Sequence, residues 1–402
     1  MPKLAFKGGR PVREIPMPPF QLLDDEEAEA VLRVLRSQNR AVMAGRETES
    51  FEKEFADDLG VEYAVALSSG MTALHVALAA AGVGPGDEVI VPAYALPAEA
   101  ASVVMQNAVP VFADIEPRVL GMDLRSAEKR ITECAKALIL AHANGYPMEM
   151  AGFIALAAER KLSVIEDCSH SHGASCNGRK VGTLGQIGIF CFQQVQVGEG
   201  GMLVTDDDAL AQRAREIRSF NDEPLFCNYQ MSELHAAVGR LRLKRLEEHN
   251  DARRRNADYL HRHLDGLPGI ATQKPLPSTK SVYDSFILRL DAAALGVNKH
   301  LFIKALLAEG IPCGPGYYPL NRQRIFRERN AYGKGCPFSC PLRAKTADRW
   351  PDYSEGSCPV TEKLCDDVLI ELKVHPPAQA KDMEDISTAV RKVAENVGEL
   401  KG

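Results

Sequence analysis

Continuous apolar runs alternate with helical stretches through the first half of the chain. The runs are "YAVAL" (63–67), "EVIVP" (88–92), "PVFAD" (110–114), "ALILA" (137–141) and "LSVIE" (162–166). Between most of them lie segments with helical spacing, such as "MTALHVALAAAG" and "PAEAASVVMQN". Apolar strands separated by helices predict a mostly parallel sheet covered on both faces, an α/β fold. Two helices precede the first strand. One starts near Asp24 with acidic residues in its first turn, and the other, "TESFEKEFADDLG", stops at Gly60.

The pattern changes after Leu234. A long charged helix is predicted to end near Gly266, followed by a strand in "SFILRLD" and a helix in "NKHLFIKALLAEG". A Pro/Gly/Cys-rich region then runs from Ile311 to Pro359, and a final helix covers "DMEDISTAVRKVAENV". The reading is a large domain, residues 1–250 with an N-terminal arm, and a smaller α+β domain, residues 251–402. The length of 402 residues favours two domains on its own.

Bulk properties narrow the partners. The net charge of -6 gives no broad positive field for nucleic acid or an anionic membrane. No run approaches the roughly 18 apolar residues of a membrane span, and the start lacks an apolar signal region, so a cytoplasmic protein is expected. Ten cysteines then read as free thiols. Cys336, Cys340, Cys358 and Cys365 lack the usual zinc spacing, so no metal is expected, and thiols packed in a Pro-rich loop are the plainer reading.

Two places suggest chemistry. In "ALSSGMTALHVAL" a strand ends, Ser68, Ser69 and Gly70 follow, and a helix opens at once. Free amides at such a start attract an anion such as phosphate, although a capped turn explains the segment equally well. In "LSVIEDCSHSHGA" Asp167 falls just past an apolar strand, where open α/β sheets place ligands. A carboxylate there can keep a ring nitrogen protonated, or simply form a turn. His170 and His172 beside it read as site residues or as ordinary turn histidines.

These pieces, with "GEGGMLVT" downstream, occur in a familiar order. The chain resembles the sugar and cyclitol aminotransferases of the DegT/DnrJ/EryC1/StrS family, within fold type I of the pyridoxal-phosphate enzymes. The likeness runs from "GGRPVR" through "GPGDEVIVPAYA", "VIEDCSHSHGA", "VGTLGQIGIFCF" and "NYQMSELHAAVG" to "GIPCGPGYYPLNRQ". The opening and the cysteine-rich region look most like the branch with inosose and aminohydroxybenzoate-type enzymes. The resemblance implies pyridoxal 5'-phosphate, a keto sugar or keto cyclitol, an amino donor and a homodimer.

Carried over residue by residue, the resemblance gives both matches and losses. Ser69 and Gly70 fall at the phosphate end, where Met71 replaces the usual threonine. Asp167 matches the carboxylate on the pyridine nitrogen, and His170 the residue beside the ring. Leu96 stands where an aromatic would stack on the ring, and Cys191 where a serine is usual. Asn228 matches the asparagine that reaches the partner subunit's phosphate, while Gln230 replaces the usual arginine.

The largest departure lies in "FCFQQVQVGEGG". The family's Schiff-base lysine belongs between the F-S-F pattern and G-E-G-G, and this segment is several residues shorter and holds no lysine. Lys180, in "NGRKVG", reads as part of a hairpin connection rather than as a replacement. Without the amine there is no internal imine and no lysine base, a loss of roughly 10²–10⁴-fold for the base alone. The expected catalytic set is therefore empty, with His170 as a substitute base. Two readings follow: a family member impaired in lysine-dependent transamination with non-covalent cofactor, or a non-catalytic dimeric binding or regulatory module on the same fold.

Overall fold

The computed structural model describes residues 3–20, 23–37, 46–219, 227–344 and 350–401. Helices α1 (Asp25–Ser37) and α2 (Glu47–Leu59) precede strand β1 (Tyr63–Leu67). Gly60 caps α2 at φ 75, a conformation suited to glycine. There follow α3 (Gly70–Ala80), β2 (Glu88–Pro92), α4 (Pro97–Met105), β3 (Val109–Ala113), α5 (Leu124–Arg130), β4 (Ala135–Ala141), α6 (Ala151–Arg160) and β5 (Ser163–Asp167). A short hairpin, β6 (Ser175–Cys176) and β7 (Arg179–Lys180), precedes β8 (Ile187–Cys191), β9 (Gly201–Thr205), α7 (Asp208–Arg218) and α8 (Glu233–Leu264).

The main sheet has the order β1-β9-β8-β5-β4-β2-β3. Its β3-β2-β4-β5-β8 portion is parallel, and β9 joins both β8 and β1 antiparallel. The expected mostly parallel sheet is thus present. Strands such as β2 and β3 are buried on both faces, which explains their unbroken apolar sequence. The strand holding Asp167 differs slightly from expectation, because β5 includes Asp167 as its last residue. The side chain still emerges at the carboxyl end of the sheet. Lys180 lies on β7 of the hairpin, where its amine pairs with Asp58 at 2.8 Å.

Beyond α8, β10 (Ile270–Thr272), β12 (Phe286–Leu290), β14 (Leu369–Leu372) and β13 (Cys313–Gly314) form a second, antiparallel sheet. Helices α10 (Lys299–Ala308) and α14 (Ala380–Glu395) pack with it around Phe286, Leu288, Phe302 and Val390. Strand β11 (Thr279–Lys280) instead extends the β6-β7 hairpin.

Helix α8 runs unbroken past residue 250. Its first half meets α1 through Arg242 and Glu27, a fully buried pair at 2.6 Å. Its second half places Ala257 and Leu260 in the core shared with α14. Residues before α1 are tied to the C-terminal part: the Ala5 and Val12 amides donate to Glu309 at 2.9 and 3.0 Å. Lys392 also holds Glu309, at 2.8 Å.

Candidate active site

The carboxyl ends of β1, β5 and β8 bring together Gly70, Asp167 and Cys191. Strand β8 lies beside β5, with Asp167 opposite Ile189, so Cys191 is displaced outward from Asp167 by one pleat repeat. Cys191 also meets the start of α3. A Cβ added to Gly70 would stand 2.4 Å from the Cys191 Cβ and 2.9 Å from its Sγ. Only glycine permits that approach, so the backbone of the helix start itself forms the wall. Burial pushes the Cys191 thiol up, which makes it an uncharged filler here and not a thiolate nucleophile.

The capped-turn reading of "SSGMT" is present in full. Ser69 Oγ accepts from the Thr72 amide at 3.1 Å, and Thr72 Oγ1 accepts from the Ser69 amide at 2.9 Å. The cap fixes the direction of the helix and leaves the other first-turn amides of α3 unpaired within the helix, because no residue lies four positions earlier in it. The cap does not exclude the anion reading, because it engages only the Ser69 and Thr72 amides. Met71 is half-buried next to it.

Asp167 is 4% exposed and accepts the Ser169 amide at 2.9 Å. Glu99, in the first turn of α4, is 2% exposed and faces Asp167. Burial, and then the Asp167 carboxylate, hold the Glu99 carboxyl well above the usual range, so Glu99 carries a proton. The Glu99 carboxyl hydrogen-bonds Asp167, which belongs to the same contact. Leu96, three residues earlier, is the half-buried N-cap of α4. The aromatic character of this region comes instead from Tyr94, which is 1% exposed, and Tyr317, whose ring centroids are 4.8 Å apart.

His170 occupies the loop after β5. Its Nδ1 lies 2.7 Å from Asp284 Oδ2, and the Tyr317 hydroxyl lies 3.2 Å from its Nε2. Burial disfavours the imidazolium, but Asp284 outweighs it and the His170 pKa is raised. Reciprocally, against the opposing effect of burial, His170 brings Asp284 down to about 2. His172 behaves differently: burial takes it down to about 4, and its Nε2 donates to the Cys191 carbonyl at 2.9 Å. His172 is a neutral strut between the β5 and β8 loops.

Asn228 is exposed. Its segment lies along β1: the Ser68 amide donates to the Tyr229 carbonyl at 2.8 Å, and Leu67 bridges Gln230. This places Asn228 close in sequence to the groups that border the α3 start. The segment after β8 is a 3-10 turn (Phe192–Val195) closed by Gln196 at φ 60. Gln193 Nε2 donates to Glu199 at 2.6 Å. No residue from Phe190 to Gly201 carries an amine.

Among the described residues, His142, Glu166 and Cys168 have ligand-type atoms close enough to hold a metal. Glu166 already accepts from His142 and from the Gly182, Leu184 and Gly185 amides, so the group reads as a closed hydrogen-bond network. All ten cysteines are free. Cys358 is buried in the core beside Phe112.

Glu99, Asp284, Tyr94 and Tyr317 were not singled out from sequence. Glu99 left one signal, an acidic residue inside the otherwise apolar "PAEAASVVM". Asp284 and Tyr317 left none, since they reach the site from distant segments.

Comparison with known proteins agrees with this geometry. The family model described as the DegT/DnrJ/EryC1/StrS aminotransferase family matches residues 21–347. An L-glutamine:2-deoxy-scyllo-inosose aminotransferase of Streptoalloteichus tenebrarius is 34% identical, over 99% of this chain and 99% of that protein. A GDP-perosamine synthase of Caulobacter vibrioides is 36% identical, over 74% of this chain and 83% of its own. Among solved structures, the aminotransferase TlmJ from Streptoalloteichus hindustanus superposes with a TM-score of 0.82 at 26% identity, covering 95% of this chain and 100% of that one.

Proposed function

The chain belongs to the DegT/DnrJ/EryC1/StrS aminotransferase family, and we propose that it binds or acts on a keto sugar or keto cyclitol with pyridoxal phosphate held non-covalently. Its lysine-dependent transamination is impaired. The observation that carries this reading is the amine-free turn from Phe190 to Gly201, beside a site that keeps Gly70, Asp167 and His170. The relatives named above are aminotransferases of a keto-inosose and a sugar nucleotide by name, which supports the substrate class.

Pyridoxal 5'-phosphate is the cofactor that the family implies. The non-covalent donor set fits it. The amides at the start of α3, where Gly70 leaves no room for a side chain, suit a phosphate, and buried Asp167 suits a protonated ring nitrogen. When bound, the cofactor supplies an electron sink for amino-group chemistry. This chain's own residues hold it at both ends, and His170 is the group placed to accept or return a proton. Leu96 covers the site with less contact than an aromatic would, and Met71 brings no hydroxyl.

In this reading the protein is a cytoplasmic homodimer whose Asn228 reaches the other copy's phosphate end. An amino donor completes the reaction where catalysis persists. The second reading, a non-catalytic dimeric binding module, is favoured by the same missing amine. Purified protein incubated with pyridoxal phosphate and then dialysed separates covalent from reversible binding. Loss of all visible absorbance on dialysis supports the proposal, and a stable violet-edge band would oppose it. A monomer at micromolar concentration in light scattering would contradict the role of Asn228.

A further inference from the structure

The segment carrying Asp284 is held unusually firmly for a loop. Asn144 and Gly145, after β4, take φ 57 and 87 and turn the chain beneath it. The Ser285 amide donates to the Asn144 carbonyl at 3.2 Å, and the Val282 amide to the Gly145 carbonyl at 3.0 Å. A Cβ on Gly145 would fall 2.5 Å from the Asp284 nitrogen, so the two backbones touch. The Tyr94 hydroxyl donates to Asn144 Oδ1 at 2.9 Å and so ties the turn to the tilted Tyr94–Tyr317 ring pair. Asp284 and Tyr317 therefore approach His170 from one braced unit, each from a different part of the chain.

We infer that Asp284 is a positioning residue that makes His170 the proton carrier of this site. With Asp284 accepting the Nδ1 proton, neutral His170 presents the bare lone pair of Nε2. The Tyr317 hydroxyl lies beside the ring, 3.2 Å from Nε2 and 3.5 Å from Nδ1, and a ligand group would meet Nε2 along its lone pair. A proton leaving the ligand forms the second N–H of the imidazolium, while its bonding electron pair stays on the ligand. The same proton returns from Nε2 to the ligand in the reverse transfer, so no oxidant or further reactant is needed. The transient positive charge is balanced by the Asp284 carboxylate. This is the proton-moving half of what the absent lysine does in the family. It supplies no covalent anchor, so it rests on the non-covalent reading above.

The charged and titratable groups around His170 are consistent with this role. Asp284 and, from β5, Asp167 favour the imidazolium. Lys373, beyond β14, opposes it, but the Lys373 amine is held by Glu371 at 2.7 Å and Ser285 at 2.9 Å. Arg253 of α8 faces Asp284 and helps to keep it ionised. Tyr317 is held in the phenol form by burial. The His170 and Asp284 side chains remain 13% and 12% exposed, so a ligand can reach the pair.

The test combines two readouts on full-length protein. The first is an NMR titration of the His170 ring, assigned by its loss in His170→Gln, without cofactor. The second is solvent exchange of the α-proton of L-glutamine in D₂O with added pyridoxal phosphate, followed against pH. Asp284→Asn is expected to lower the His170 titration by at least about one unit. It is expected to reduce the exchange rate at pH 7 about tenfold or more, with the pH profile moving as the titration does. Asp284→Glu should restore both in part, which separates positioning from misfolding. An unchanged His170 titration in Asp284→Asn, or an unchanged exchange profile with bound pyridoxal phosphate, would overturn the inference. Failure of the wild type to bind pyridoxal phosphate would sink the functional reading instead. The cofactor-free titration would still decide whether Asp284 governs the imidazole.

Discussion

Glu99 and Asp167 bury two carboxyl groups against each other at the carboxyl end of the sheet, and burial, followed by the Asp167 charge, raises the Glu99 pKa. Glu99 holds the proton, so its neutral carboxyl neighbours the carboxylate assigned to the ring nitrogen. Asp167→Asn removes the charge-assisted acceptor, and a hydrogen bond to a charged group is worth about 1.5–3 kcal/mol. The affinity for pyridoxal phosphate should fall about 10- to 100-fold in a fluorescence titration. Glu99→Gln keeps a neutral donor of the same shape and should leave that affinity within about threefold. Equal binding by wild type and Asp167→Asn would remove Asp167 from the cofactor site.

The contact between Gly70 and Cys191 gives a steric prediction. In Gly70→Ala the new Cβ lies 2.4 Å from the Cys191 Cβ, so overpacking should cost about 1–3 kcal/mol in denaturant unfolding. Cys191→Ala keeps the offending Cβ and should not relieve the cost. Cys191→Gly removes it and should make the double variant better than the sum of its parts. Simple additivity with both partners would mean that the helix start does not rest on this contact.

His172 predicts an acid limb of stability. Its pKa falls from 6.5 to about 4 on folding. A depressed base binds its proton in the unfolded chain first, so its contribution is complete above pH 6.5 and lost as the pH falls towards 4. The loss amounts to about 3 kcal/mol if the whole shift is realised. His172→Gln should flatten the stability profile across that window while removing the ring's packing against Phe190 and Phe192. An unchanged acid limb would show that His172 does not titrate there.

Much of the fold was legible because it rests on local pattern. Strand β3 is a continuous apolar run, β2 is one after Glu88, and Gly60 stops α2 where a left-handed residue is needed. The placement of Gly70 at a helix start and of Asp167 at a strand end was legible from the local pattern. The proton-handling groups were not. Asp284 meets His170 across 114 positions, and Tyr317 meets it across 147, so no local periodicity carries the pairing. Tyr94 was not legible because the resemblance points to Leu96 in the same stretch, and the partner ring of Tyr94, Tyr317, comes from a distant segment. Glu99 stood out only as a charge in an apolar helix, and its meaning depends on Asp167 from another strand.

A cofactor site without a covalent anchor should leave no trace of the cofactor on the chain after reduction. Wild-type protein would be loaded with pyridoxal phosphate, reduced with borohydride, digested and mapped by mass spectrometry. No pyridoxyl adduct is expected between Phe190 and Gly201, where no amine exists, and none on Lys373, whose amine is already held by Glu371 and Ser285. Dialysis before reduction should remove the cofactor altogether. A stoichiometric adduct on Lys373 or another lysine bordering the site would contradict the account, because the fold would then have relocated its nucleophile.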